Sequence, residues 1–242
     1  MIEKGDRVVL SGKGREFYTR AGEGTLSTDK GILDLGSLIG KTQGEVITSH
    51  LGEEFFIRLP RPTDFFTYAA RSGAPMLPKD IGMVIAYTGM NRNDSVLDAG
   101  TGSGIAAIYF GGIAARVVTY EQREDFAKKA AKNIVDARLE NVEVKCGDVL
   151  TDTGTYDIIH FDLHCTPEHV FHAHDHLKYG GYLATYTPFL EQTFMVMDTA
   201  ASLFGEVHTH EVIGRELTRG SRGTRPSTRV SHSGYITIAR NI

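Results

Sequence analysis

Tryptophan is absent from this chain of 242 residues, and cysteine occurs only at Cys146 and Cys165. Two thiols make no disulfide framework, so reduced cysteines and a cytoplasmic location are the expectation. Long apolar runs are also missing, and nothing approaches the ~20 residues that span a bilayer. The first residues, Met1-Ile2-Glu3-Lys4-Gly5-Asp6, lack the apolar core of a secretory signal. Nor is there an excess of positive charge. A net charge of −4 argues against a protein that coats nucleic acid indiscriminately. With 41% hydrophobic and 23% charged residues, disordered, collagenous and coiled-coil chains are excluded. The length suits one large domain with a small appendage.

The mean charge hides a gradient. From Glu211 onward six arginines (Arg215, Arg219, Arg222, Arg225, Arg229, Arg240) face two glutamates, Glu211 and Glu216. Such a segment is either a solvated loop or a local surface for a polyanion. Gly220, Gly223 and Pro226 make it read as loop rather than helix.

Two styles of sequence follow one another. Short apolar runs between glycine-bearing turns, at Asp6–Leu10, Glu16–Thr19, Gly31–Asp34 and Glu45–Thr48, predict a small β-module over residues 1–70. Pro60, Pro62, Pro75 and Pro78 punctuate its end. Over residues 71–242 strands alternate with helices. Strands are predicted at 95–98, 117–120, 142–145, 156–161 and 182–186, with helices at 80–89, 105–115, 124–137, 167–177 and 190–203. Two closing strands, 206–213 and 234–239, have only a loop between them, which suggests an antiparallel edge. The alternation predicts a doubly wound α/β sheet.

The run Val96-Leu97-Asp98-Ala99-Gly100-Thr101-Gly102-Ser103-Gly104-Ile105 takes a buried strand through a glycine turn into a helix. Glycine allows close approach of backbone to ligand, and the helix start offers free N–H groups. Three features separate this turn from other nucleotide sites. The spacing is Gly-x-Gly-x-Gly, unlike the Gly-x-Gly-x-x-Gly of dinucleotide binders. Glu121 closes the next strand, where a carboxylate can accept both ribose hydroxyls. Asp148, beside Val149, closes the one after, where a carboxylate can accept from an adenine amino group. Together they fit S-adenosylmethionine, against the alternative of ordinary strand-end turns. A second glycine run, Gly36-Ser37-Leu38-Ile39-Gly40-Lys41-Thr42, is one residue short of a P-loop because Leu35 stands where glycine is required.

Asp162 follows the fourth strand, where α/β sheets bind ligands. It reads either as a group beside the transferred methyl or as a cap of the next helix. Several further runs are similar to those of the tRNA (adenine-N1)-methyltransferases that modify the T-loop, in their archaeal and bacterial form. They are Gly5-Asp6-Arg7-Val8, Gly31-Ile32-Leu33-Asp34, Leu38-Ile39-Gly40-Lys41, Pro78-Lys79-Asp80-Ile81-Gly82, the stretch Tyr120–Ala127, Tyr186-Thr187-Pro188 and His232–Thr237. The resemblance covers nearly the whole chain. It implies a class I S-adenosylmethionine-dependent methyltransferase fold, Rossmann-like, with a seven-stranded sheet whose last strand is antiparallel. It also implies methylation of adenine N1 at tRNA position 58, with 57 as a second position, and a homotetramer. Asp162 would be the catalytic carboxylate, also touching the cofactor, and His164, Arg222, Arg225 and His232 would meet the tRNA.

One stretch departs from the family. After Asp162 and Leu163 the chain runs His164-Cys165-Thr166-Pro167, in place of a Pro-Asp-Pro-Trp-like segment, and Ala74 and Leu77 replace Gln and Tyr before Pro78. The walls of the base pocket are therefore altered. That keeps two alternatives open, a class I methyltransferase for a small molecule or protein carboxylate, and a non-catalytic tRNA-binding subunit. Histidines 160, 164, 169, 172, 174 and 176 crowd the same stretch. His172 and His176 are spaced i, i+4, which suits a metal, but a polar helix face is the better reading and no metal is expected.

Overall fold

The computed structural model describes residues 1–221, 223–227 and 232–242. Arg222 and Arg229, two of the arginines singled out above, lie outside the described residues. The chain divides into two compact units, Met1–Ala69 with Val135–Arg138, and Ala70–Ile134 with Leu139–Ile242.

The first unit holds strands β1 (Arg7–Gly12), β2 (Arg15–Arg20), β3 (Thr25–Thr28), β4 (Gly31–Asp34), β5 (Val46–Thr48) and β6 (Glu54–Arg58), then helix α1 (Pro62–Tyr68). A four-stranded sheet has the order β2-β1-β6-β5, and β3 pairs with β4 in a separate hairpin. Alternation along β4 and β6 buries one side chain in two, while β1 buries Val8, Val9 and Leu10 in succession. Val8, Leu10, Leu33, Ile47, Phe55 and Ile57 form the core of this unit.

The second unit opens with α2 (Pro78–Thr88), entered by a proline at its first position and ended by Gly89 in the left-handed conformation. Then come β7 (Ser95–Ala99), α3 (Ile105–Gly111), β8 (Arg116–Glu121), α4 (Glu124–Asp136), β9 (Val142–Cys146), β10 (Tyr156–Phe161), α5 (Pro167–His176), β11 (Leu177–Thr187), α6 (Leu190–Ala201), β12 (Glu206–Glu211), β13 (Leu217–Gly220), β14 (Gly223–Pro226) and β15 (Tyr235–Arg240). The seven-stranded sheet has the order β12-β15-β11-β10-β7-β8-β9. Strands β7 to β11 are parallel, and β15 runs antiparallel between β11 and β12. The central strands β7, β8 and β10 are buried along most of their length because helices cover both faces. Leu97, Val118, Ile159, Phe161, Leu183 and Val196 pack in the main core.

The arginine-rich segment corrects an expectation. Arg219 and Arg225 lie on the two-stranded hairpin β13–β14, where Thr218 faces Arg225 and Arg219 faces Thr224. Both strands are fully exposed. With no buried face, they show no apolar alternation for sequence reading to detect. Helix α1 is a second difference. Its proline-led start, read above as punctuation, is also a helix entry signal.

Candidate active site

Strand order reverses between β7 and β10. From β7 the sheet continues to β8 and β9 on one side, while β10 leads to β11 on the other. The carboxyl ends at such a switch point leave a crevice. Here the crevice is a cavity of about 370 Å³ lined by residues that include Gly100, Glu121, Val149, Asp162 and His164.

Gly100 permits this meeting. Its φ is +86°, and a Cβ at that position would lie 1.8 Å from the carbonyl oxygen of Asp162. The glycine turn and the end of β10 thus approach more closely than any side chain allows. The Asp162 amide completes the junction by donating to the Ala99 carbonyl at 2.9 Å.

The other turn residues support the loop from behind. Thr101 Oγ1 lies 2.6 Å from Thr119 Oγ1, and the Thr119 hydroxyl donates to Asp98 Oδ2 at 2.5 Å. Asp98 Oδ1 in turn lies 2.6 Å from His160 Nδ1. This buried chain joins β7, β8 and β10 beneath the turn. The Ser103 hydroxyl accepts from the Ser72 amide at 2.6 Å. Gly104 is the N-cap of α3, and Ile105 is buried at its first turn. The Gly102 amide donates to Glu121 Oε2 at 2.9 Å. Glu121 Oε1 accepts from the Arg123 amide and its Nε, at 3.1 and 3.2 Å. Asp148 caps the short turn after β9 by accepting from the Leu150 amide at 3.0 Å. Its neighbours Gly147 and Val149 line the cavity, and Asp148 itself does not.

Asp162 is half-buried in the cavity wall. Burial pushes its pKa up to about 6, with the Asp98 charge adding to the rise and His160 opposing it. Among the described residues no hydrogen bond reaches its carboxylate. The cap reading therefore lacks the side-chain bond a cap would make, and the helix after it starts with Thr166 as its N-cap. Next to Asp162, exposed His164 holds the side-chain amide of Gln192 through Nδ1. His232 lies 2.6 Å from Glu211 through Nδ1 and 3.3 Å from the Pro188 carbonyl through Nε2. Glu211 holds this imidazole more basic than usual. Arg225 stands on the exposed hairpin.

The histidine cluster separates. His160 is fully buried against Asp98 and Phe110. His172 and His176 stack at 4.1 Å between ring centroids on α5. His169 lines the cavity, and burial holds its pKa down. Among the described residues no three potential ligands converge as a metal site.

Three positioning groups escape a reading of the sequence. Lys79 Nζ donates to Asp80 Oδ1, the Val212 carbonyl and Ser233 Oγ, each at 2.6 Å. Asp80 is fully buried and accepts from Ser233 Oγ at 2.8 Å. Tyr186 donates to the Ser233 carbonyl at 2.5 Å. Burial raises the pKa of this phenol, with Asp80 and Asp162 contributing. The Lys79-Asp80 and Tyr186-Thr187-Pro188 runs carry a family signal, but Ser233 lies 154 and 47 positions away from Lys79 and Tyr186.

The cavity fits S-adenosylmethionine in its donor set. The Glu121 carboxylate at the end of β8, the residues Gly147 and Val149, the glycine turn at Gly100 and the Asp162 carboxylate all line it. Fold and site together define a class I S-adenosylmethionine-dependent methyltransferase. The profile of the Protein-L-isoaspartate(D-aspartate) O-methyltransferase (PCMT) family matches residues 67–212, the methyltransferase portion up to β12. The tRNA (adenine(57)-N(1)/adenine(58)-N(1))-methyltransferase TrmI of Methanocaldococcus jannaschii is 31% identical over 97% of this chain and 94% of its own length. Among solved structures, a SAM-dependent O-methyltransferase from Thermotoga maritima is 27% identical, with a TM-score of 0.86 over 100% of this chain and 94% of that one. The tRNA (m1A58) methyltransferase TrmI from Aquifex aeolicus, 23% identical, shares the fold with a TM-score of 0.80 over 100% of this chain and 98% of that one. The chain carries the PCMT-type methyltransferase domain and, along its full length, belongs to the TrmI family of tRNA (adenine-N1)-methyltransferases.

Proposed function

We propose that the protein transfers the methyl group of S-adenosylmethionine to N1 of an adenine in the T-loop of tRNA, at position 58 with 57 as a second position. The observation that carries this reading is the extent of the TrmI likeness. It spans 97% of the chain, including the β-module that the PCMT profile leaves unmatched. We take residues 1–70 as that module and 71–242 as the catalytic domain, working as a cytoplasmic homotetramer. No helix among the described residues is long and apolar enough to cross a membrane.

Gly100, Glu121, Val149 and Asp162 would hold the cofactor, which supplies an electrophilic sulfonium methyl, and Asp148, just outside the cavity lining, would turn toward its adenine end on binding. Thr101, Gly102, Ser103, Gly104 and Ile105 shape the turn that receives its methionine end. Neutral adenine N1 has an in-plane lone pair, and its alkylation leaves a positive charge on the ring. Asp162, with no donor on its carboxylate among the described residues, is available to accept from the exocyclic amino group and offset that charge. Positioning of N1 in line with the methyl supplies much of the remaining acceleration. A stacked adenine must leave its neighbours to enter the cavity. His164, Arg222, Arg225 and His232 are assigned to the RNA.

A second reading, transfer to a carboxylate, draws on the PCMT match and on the altered segment after Asp162. One experiment separates the two. The protein is incubated with labelled S-adenosylmethionine and either unmodified tRNA or an isoaspartyl peptide, and the methylated atom is mapped. Label on adenine N1 supports the tRNA reading. Base-labile label on the peptide alone overturns it.

A further inference from the structure

We propose that the turn from Pro188 to Gln192 is a stacking platform for a nucleobase that flanks the target adenine, with the Phe189 ring as its face. This inference rests on the tRNA reading above. Phe189 is the N-cap of α6 and is 64% exposed, although it is a large aromatic side chain. Gln192 is the third helical residue and so belongs to the same first turn. The amide of Gln192 is bonded to His164, which lines the same cavity as Asp162. Phe189 therefore opens the helix turn whose Gln192 side chain reaches the cavity wall at His164.

The platform is held on both sides. The Pro188 carbonyl meets His232 Nε2 at 3.3 Å, and the Phe189 carbonyl accepts from Thr193 Oγ1 at 2.9 Å. Such anchoring fixes the backbone of the turn and leaves the ring exposed. An RNA loop that surrenders one base to a cavity exposes the π-face of the next, and every base offers such a face. Aromatic side chains beside a site for an extruded base are suited to receive it.

The test is a double-mutant cycle between protein and RNA. Binding and single-turnover transfer are measured for the full-length protein and Phe189→Ala on a T-loop RNA. Two further RNAs carry an abasic residue on the 5′ or the 3′ side of the target adenine. The intact RNA should bind Phe189→Ala about tenfold more weakly. One abasic RNA should bind wild-type protein about tenfold more weakly as well. The two changes together should cost little more than either alone. Phe189→Tyr should restore the coupling, and affinity for S-adenosylmethionine should not move. Additive losses on both abasic RNAs would overturn the proposal. So would a Phe189→Ala protein whose sedimentation shows fewer subunits than wild type. Failure of wild-type protein to methylate the intact RNA would instead refute the tRNA reading itself.

Discussion

Glu121 and Asp162 are both carboxylates at strand ends, but their surroundings give them different work. Glu121 is engaged on both oxygens, by Gly102 and Arg123. Its loss removes a tether of the glycine turn along with the carboxylate proposed to accept ribose hydroxyls. Charged hydrogen bonds are worth about 1.5–3 kcal/mol each, so Glu121→Ala should weaken S-adenosylmethionine binding at least about tenfold by calorimetry. Asp162 accepts no bond from the described residues and titrates near 6. The anion is the form that offsets charge on the ring, so single-turnover transfer should rise with pH through about 6 and then level. Asp162→Asn should abolish that pH-dependent rise, and it should reduce transfer much more than cofactor affinity. Stability carries the opposite sign. Because the folded-state pKa is raised from 3.8 to about 6, the folded protein binds the proton more tightly than the unfolded chain. Stability from this group is therefore lost as pH rises through that window. Asp162→Asn should raise the Tm at pH 7, and by less at pH 4.

At the scale of elements, the site depends on contacts between strand ends and on one clamp. A Cβ at position 100 would overlap the backbone of Asp162, which no rotamer change relieves. Gly100→Ala should cost about 4 kcal/mol or more in denaturant unfolding, or else displace the end of β10 and abolish cofactor binding. The clamp is Lys79 with Asp80. It grips Val212, where the chain leaves β12, and Ser233, just before β15 begins. Lys79→Met leaves Asp80 buried without its cation, which should cost about 3 kcal/mol. It should also speed proteolysis between Val212 and Ser233 while leaving cofactor affinity near wild type. Retention of wild-type protease resistance would show that the hairpin ends are held by other interactions.

For the molecule as a whole, an acidic chain that binds tRNA must concentrate its cations. Arg219 and Arg225 stand on an exposed hairpin with no buried face of its own. Guanidinium groups match phosphate oxygens, and removing each phosphate-bound arginine should reduce the logarithmic salt slope of tRNA binding by about 0.7–0.9. Arg219→Ala with Arg225→Ala should therefore bind tRNA more weakly and with a shallower slope. Unchanged slope and affinity would assign these arginines to solvent or to a subunit interface. Sedimentation of the wild-type protein checks the proposed tetramer.

Local pattern and spatial meeting divide what each level of description holds. Alternation of strand and helix, the glycine turn after β7 and the acids closing β8, β9 and β10 follow from short stretches of sequence. Periodicity and turn chemistry act over a few residues, so these features are legible without coordinates. The full length of β11, the helix at Pro62–Tyr68 and the hairpin β13–β14 are not, because their residues alternate weakly or lie wholly exposed. Pairings between distant strands are out of reach as well. The links from Asp98 to His160, from His164 to Gln192, and from Lys79 to Ser233 span 62, 28 and 154 positions. No local propensity encodes such distances. They arise when folding brings remote segments together, and only there does a carboxylate or an imidazole acquire the neighbours that define its chemistry.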